Sequence, residues 1–310
     1  MKHALLPIHD VEIVEVGPRD GFQPIGPFIP TAQKLGFVED AAKAGLRRIE
    51  IGSFVSAKAV PQLADTPELL RGVEGHERLL PQVLVPTSRR GEEALAAGAP
   101  MIAFVLSVSE AHNRNNVRQT PAESAEAYAA LMQRTPATIP VRLNLATSFD
   151  CPFEGRVGPD AVLALLERLV PLRPDAEVCL CDTTGRAAPA EVRQLFAAAR
   201  AAFPQVRHWA LHAHDTYGRG VANVFAAFEE DVRVFDAAMG GLGGCPFAPG
   251  ATGNVATEDL VSMFDRMGVA SGVTLDALVP LANRAAALPG AQAGGQVRHV
   301  VRQMETPIPG

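Results

Sequence analysis

HWALHAHD, residues 208–215, reads as a β-strand with chemistry at its end. Side chains two apart in a strand share a face, so His212 and His214 aim together while Leu211 and Ala213 aim the other way. Two imidazoles converging at a strand end make a seat for a divalent metal, although a His-x-His pair alone is more often incidental. Outward from this stretch, EVCLCDTTG at 177–185 and VRVFDAAMG at 232–240 flank it as strand-like runs, with helical stretches between them. The pattern continues toward the N-terminus in VEIVEVG at 11–17, RRIEIGS at 47–53, RLLPQVLVP at 78–86, MIAFVLSVS at 101–109 and PVRLNLATS at 140–148. Helix start signals fall between the runs at Thr31, at Thr120 with Pro121, and at Pro189, and Gly45 and Gly98 read as helix C-caps. Eight strand–helix units predict an α/β fold closed as a (β/α)8 TIM barrel. An open doubly wound sheet more often shows five to seven strands, and no GxGxxG follows an early strand to seat a dinucleotide. The segments ATEDLVSMFDRMG and TLDALVPLANRAAALPG supply the eighth barrel helix and at least one additional C-terminal helix. The expected organisation is one barrel catalytic domain over 1–290 and a tail over 291–310, a mobile end or a lid.

Composition supports a soluble enzyme. Of the 310 residues 47% are hydrophobic and 20% charged, with a formal net charge of −6, so there is ample material for a core. No basic cluster marks a nucleic-acid footprint. Residues 1–10 lack the pattern of a secretory signal, and no apolar run reaches the roughly 18 residues of a membrane span. The expected location is the cytoplasm. Cys151, Cys179, Cys181 and Cys245 have no CxxC spacing and read as reduced thiols. Cys179 and Cys181 sit in an apolar run as packing residues, whereas Cys245 lies in a glycine-rich loop where packing explains little.

Catalytic groups of such a barrel gather at the C-terminal ends of the strands. The first strand ends in GPRDGFQ, which places Arg19, Asp20 and Gln23 at the mouth. The second carries Glu50, the fifth Asn144 and Thr147, the sixth Asp182, the seventh His212, His214 and Asp215, and the loop after the eighth carries Cys245 and Asn254. Each has a plainer reading: Asp20 before Gly21 as a turn former, Asp182 with Thr183 as a helix cap, Arg19 and Glu50 as salt-bridge partners. Those readings weaken because separate strands place ionisable groups at one end. Asp20, His212 and His214, completed by the amide oxygen of Asn254, form an oxygen and nitrogen shell suited to Mg²⁺ or Mn²⁺, with Zn²⁺ also accommodated. Such an ion polarises a hydroxyl and a carbonyl of one substrate. Arg19 beside it could hold a developing enolate, and Cys245, brought in by loop closure, is a candidate acid for the carbanion.

GPRDGFQ, IEIGSFVS followed by VPQLAD, HAHDTYGRGVAN, GGLGGCPFAPGATGN and ATEDLV together resemble the 3-hydroxy-3-methylglutaryl-CoA lyase family, in the metal-dependent lyase branch of the Claisen-condensing TIM barrels. HxHDTYG separates the lyases from the related isopropylmalate and homocitrate synthases, whose second histidine is typically followed by Asn-Asp. The resemblance runs from about residue 11 to about residue 275. It implies a metal held by Asp20, His212, His214 and Asn254, an enolate held by Arg19, and further catalytic positions at Glu50, Asp182 and Cys245. It implies an acyl-CoA substrate cleaved to acetyl-CoA and a keto acid, acetoacetate in the parent reaction, and a homodimer. Departures fall where the family reads DGLQNE and SPKWVPQ; here the chain has DGFQPIGPF and SAKAVPQ, with Ala59 in place of a bulky aromatic. These bear on the acyl group more than on the reaction, so a lyase for citramalyl-CoA or another 3-hydroxyacyl-CoA fits as well. Further alternatives are an aldolase or Claisen-type synthase of the superfamily and, from another class, a catalytically silent barrel serving as a binding subunit.

Overall fold

A computed structural model describes residues 9–244 and 253–304. All eight expected runs form strands: β1 Glu12–Glu15, β2 Arg48–Ser53, β3 Leu80–Val85, β4 Ile102–Ser107 and β5 Val141–Ala146 come first. After a short hairpin of β6 Asp150–Cys151 and β7 Gly155–Arg156, the series resumes with β8 Glu177–Asp182, β9 Trp209–Ala213 and β10 Val234–Ala237. The eight longer strands are parallel and close into a barrel in the order β1-β10-β9-β8-β5-β4-β3-β2. Each barrel strand is followed by a helix, the last being Thr257–Met267, and Leu275–Ala286 and Val297–Met304 are added beyond it.

The alternation of the sequence explains the layers. Outward positions are apolar and fully buried against the helices, as with Ile49, Phe104, Leu106, Leu143, Leu145, Leu180, Leu211 and Phe235. Burying each such side chain contributes roughly 1.5–3 kcal/mol. Inward positions are largely polar: Arg48 and Glu50 on β2, Gln82 on β3, Arg142 and Asn144 on β5, Glu177 on β8, and Asp236 on β10 are all buried. Strand register therefore has two separate determinants, an apolar set that must face out and a charged set that must find partners across the interior.

The helix signals hold with one local difference. Thr120 caps Pro121–Arg134 in a reciprocal capping box with Glu123, and Gly45 and Gly98 have the positive φ expected of glycines that end helices (105° and 81°). Thr31, in contrast, is the first residue of its helix, and its hydroxyl donates to Asp65 (2.8 Å) instead of capping. The reason is Pro30 before it, whose extended backbone already turns the chain into the helix.

Two buried carboxylates clip the mouth of the barrel together. Glu15 Oε1 accepts from the backbone N–H of Gly17 (2.7 Å) and of Met239 (2.9 Å), and Oε2 accepts from the Thr257 hydroxyl (2.7 Å). Glu258 accepts from the N–H of Gly240 (3.0 Å). Burial outweighs these hydrogen bonds and pushes both carboxyls from 4.5 up to about 7. A carboxyl whose folded pKa is raised adds stability below its unfolded pKa and loses it as the pH climbs through the folded value. Stability should therefore fall between about pH 4.5 and 7. Glu15→Gln is expected to gain, relative to the parent, about 3 kcal/mol more at pH 8 than at pH 5. Urea unfolding at the two pH values measures this, and an equal difference at both would show that Glu15 is ionised at no cost.

Candidate metal centre and active site

The segment after β1 makes one wide turn in which the N–H of Phe22 reaches the carbonyl of Gly17, five residues back (2.8 Å). Such single wide turns recur at functional sites. This one points Arg19 and Asp20 into the barrel mouth, where they pair with each other and Arg19 Nε donates to Glu50. Across the mouth, Asp215 N–H bonds the carbonyl of Gly253 (2.8 Å), and His214 bridges Asn254. That crossing needs glycine: a Cβ on Gly253 would stand 2.5 Å from the backbone of Gly243. The result brings Asp20, His212 and His214 together with their ligand atoms within 4.8 Å of one another. Nε2 of His212 and of His214 lie 3.9 and 3.7 Å from Asp20 Oδ2, and Asn254 Nδ2 donates to that same oxygen (2.8 Å).

The donor set fits a hard divalent cation. Asn254 Oδ1 is buried with no hydrogen-bond partner among the described residues, an oxygen acceptor left over beside a carboxylate and two imidazoles. One carboxylate, two imidazoles and an amide oxygen would hold such a cation and let it supply Lewis acidity to a bound substrate. Burial alone would raise the Asp20 carboxyl, but Arg19 and the two histidines outweigh it and hold it well below the usual carboxylate range. His214 is pushed down by burial, which keeps its imidazole neutral and able to bind metal.

Glu50 is placed by neighbours that the strand ends do not reveal. Gln82 Nε2 donates to Glu50 Oε2 (2.7 Å), while Gln82 Oε1 accepts from Arg48 Nε (2.8 Å). Arg48 forms a two-pronged pair with Glu177 (2.7 and 2.8 Å), Arg142 lies 3.4 Å from Glu177 and 2.8 Å from Asp236, and Asp236 Oδ2 accepts from His212 Nδ1 (3.0 Å). Reasoning from strand ends missed Gln82, Arg48, Arg142, Glu177 and Asp236. Their signal was present as polar residues at alternate positions inside apolar runs, as in PVRLNLA and VRVFDAA.

The remaining expected residues divide. Asp182 does not line the cavity: it points outward from β8, where its Oδ2 accepts from the N–H of Ala187 (3.2 Å) and meets Asn223. Burial raises its carboxyl to about 6. Cys181 and Thr183 on either side face the cavity instead. Asp215 accepts from the N–H of Gly220 (2.6 Å), a turn-closing bond. Thr147 holds a left-handed backbone (φ 56°), unusual for a β-branched residue, fixed by bonds to Thr183 and Ser109. Asn144 lines the cavity with its Oδ1 unpaired among the described residues. Cys245 lies outside the described residues.

The cavity has a volume of about 1670 Å³ and runs outward from Arg19, His212 and His214. Its rim includes the two stretches that depart from the resembled pattern, Pro24–Phe28 and Val55–Gln62, and Gln62 clasps them together. The Gln62 amide donates to the carbonyls of Ile25 and Pro27 (2.9 Å each) and accepts from the N–H of Ile29 (2.9 Å).

Comparison with known proteins follows the same lines. A family model described as HMGL-like matches residues 10–284. The hydroxymethylglutaryl-CoA lyase of Pseudomonas mevalonii is 40% identical over 278 residues, covering 89% of this chain and 92% of that one. The (R)-citramalyl-CoA lyase of Chloroflexus aurantiacus is also 40% identical, over 282 residues, covering 87% and 88%. An HMG-CoA lyase from Acinetobacter baumannii, solved with coenzyme A and 3-methylmalate, superposes with a TM-score of 0.89 at 38% identity, covering 96% of this chain and 98% of that one.

If the four-residue set holds a cation, His212→Ala or His214→Ala is expected to weaken Mn²⁺ binding to the purified protein by at least a hundredfold. Titration calorimetry or the loss of the free-ion paramagnetic signal measures this, and an unchanged affinity in both variants would remove the centre from the barrel mouth.

Proposed function

We propose the reaction in detail from one premise: the chain belongs to the HMGL-like family and is a carbon–carbon lyase of the hydroxymethylglutaryl-CoA lyase type. In our reading the substrate is 3-hydroxy-3-methylglutaryl-CoA or a close 3-hydroxyacyl-CoA. The hydroxyl at C3 loses its proton, the C2–C3 bond breaks, and its electron pair passes to C2 as a thioester enolate. Protonation of C2 then gives acetyl-CoA, and C3 becomes the carbonyl of the keto acid. The observation that carries this reading is the juxtaposition of Arg19 with the Asp20, His212 and His214 cluster at the inner end of one large cavity.

Asp20, His212, His214 and Asn254 would hold the cation, Mg²⁺ or Mn²⁺ by the hardness of the donor set, with Zn²⁺ also accommodated. Bound there, it would supply Lewis acidity to the oxygens of the substrate. Arg19 has its Nε committed to Glu50 and its Nη1 to Asp20, which aims the guanidinium and leaves Nη2 to stabilise the enolate oxygen. Glu50 acts through Arg19. Asp182 acts at one remove, by shaping the turn that presents Thr183, and Cys245 is the proposed acid for C2. The expected homodimer and cytoplasmic location belong to this proposal; among the described residues no helix is long and apolar enough to cross a membrane.

A second substrate, citramalyl-CoA, is favoured by one observation. The citramalyl-CoA lyase and the hydroxymethylglutaryl-CoA lyase relatives are equally similar to this chain, at 40% each, and the clasped rim departs from the resembled lyase pattern. The two reactions leave different keto acids, pyruvate and acetoacetate, beside the same acetyl-CoA.

Incubation with each thioester in the presence of Mg²⁺ or Mn²⁺, with detection of acetyl-CoA and the keto acid, tests the reading; no acetyl-CoA from either would overturn it. Arg19→Met should lower kcat by a hundredfold or more, corresponding to ~3 kcal/mol of lost transition-state stabilisation. A change below tenfold would mean that the arginine is structural.

A further inference from the structure

The interior contacts join into a closed circuit: Arg19, Glu50, Gln82, Arg48, Glu177, Arg142, Asp236, His212, Asp20 and back to Arg19. Every link is 3.4 Å or shorter except one, the 3.9 Å from His212 Nε2 to Asp20 Oδ2. That gap is flanked by the two histidines and Asn254, where the cation is proposed to sit.

We propose that Gln82 and Asp236 are positioning residues, the ends of two arms that share the Arg48–Glu177 pair as anchor and separately orient Arg19 and His212. The inference rests on the lyase reading only for what those two residues do next. On the first arm the Gln82 amide has one orientation: Arg48 can only donate and the Glu50 carboxylate can only accept. Gln82 thus fixes Glu50 Oε2 and presents Oε1 to Arg19 Nε, which sets the plane of the guanidinium. On the second arm Asp236, held by Arg142, accepts the Nδ1 proton of His212 and leaves the Nε2 lone pair facing Asp20. A carboxylate behind a ligating imidazole fixes its tautomer, and losing such a partner commonly weakens metal binding 10–100-fold. Gln82, Arg142 and Arg48 are fully buried, so water cannot substitute for a missing partner there, whereas Asp236 borders the cavity.

The test uses the full chain and needs no substrate, so it is decided separately from the identity of the thioester. Asp236→Ala should weaken Mn²⁺ binding 10–100-fold while leaving the Arg19 Nε–H resonance, assigned by its loss in Arg19→Met, in place. Gln82→Met should shift or broaden that resonance while Mn²⁺ affinity stays within threefold. Because Asp236→Ala strands Arg142 and could fail to fold, a second measurement uses the parent protein: nitrogen-15 imidazole spectra of the metal-free chain near pH 9 should show His212 as the Nδ1–H tautomer. The Nε2–H tautomer would overturn the second arm. Variants that move both readouts together, or neither, would overturn the division into two arms and leave the circuit as packing.

Discussion

A charge fully buried inside a barrel must be neutralised by other charges, because burial strips it of its hydration. Arg48, Arg142 and Glu177 are fully buried, and stranding one member of such a group by removing its partner costs about 3–5 kcal/mol. Each of them contacts residues from other strands, so their pairing fixes which strand positions lie opposite one another. Register and site thereby become one problem. A one-residue slip of β5 would turn Arg142 and Asn144 out among the helices and bring Leu143 and Leu145 into the charged interior.

Parity explains both what was legible in the sequence and what was not. All eight strands and the shared direction of His212 and His214 follow from period-two alternation and from helix signals. The same rule applied to EVCLCD puts Cys179 and Cys181 inward and Asp182 outward, which is how β8 lies. A charged residue at a strand end signals a site only when its parity points into the barrel. The interior circuit was missed for a related reason. The members that were missed sit at the start of a strand, as Arg48 and Glu177 do, or within it, as Gln82, Arg142 and Asp236 do, where the same parity marks them as inward but where chemistry is not ordinarily sought. Their partners lie up to 129 residues away, a separation that composition and local pattern do not resolve.

The rim shows a different limit. Pro24 and Pro27 are visible as stiffening residues in the sequence, yet the rigidity of that loop comes from Gln62, whose amide satisfies three backbone groups of a segment more than thirty residues earlier. Gln62 is tied in turn to the buried Lys34, whose ammonium donates to the Gln62 carbonyl and pairs with Asp65 (2.8 Å). The departures from the resembled pattern at DGFQPIGPF and SAKAVPQ are therefore one structural unit. A change in either would reach the other through the Gln62 amide.

Charge arithmetic links the interior to the proposed cation. The circuit contains three guanidinium groups, Arg19, Arg48 and Arg142, and four carboxylates, Asp20, Glu50, Glu177 and Asp236. The carboxylates outnumber the guanidinium groups, the more so because Glu12 also pairs with Arg48 (3.2 Å), and the only wide link in the circuit lies at Asp20. In the metal-free protein part of that excess falls to His212, whose imidazole is lowered by burial but raised further by Asp236 and Asp20, so that it binds a proton more tightly than usual. Proton and cation then compete for the same nitrogen, and the carboxylates that favour the one favour the other. The barrel interior thus does more than hold ligands in place: it carries an excess of carboxylates that a cation at the mouth would offset, beside the arginine proposed to receive the enolate.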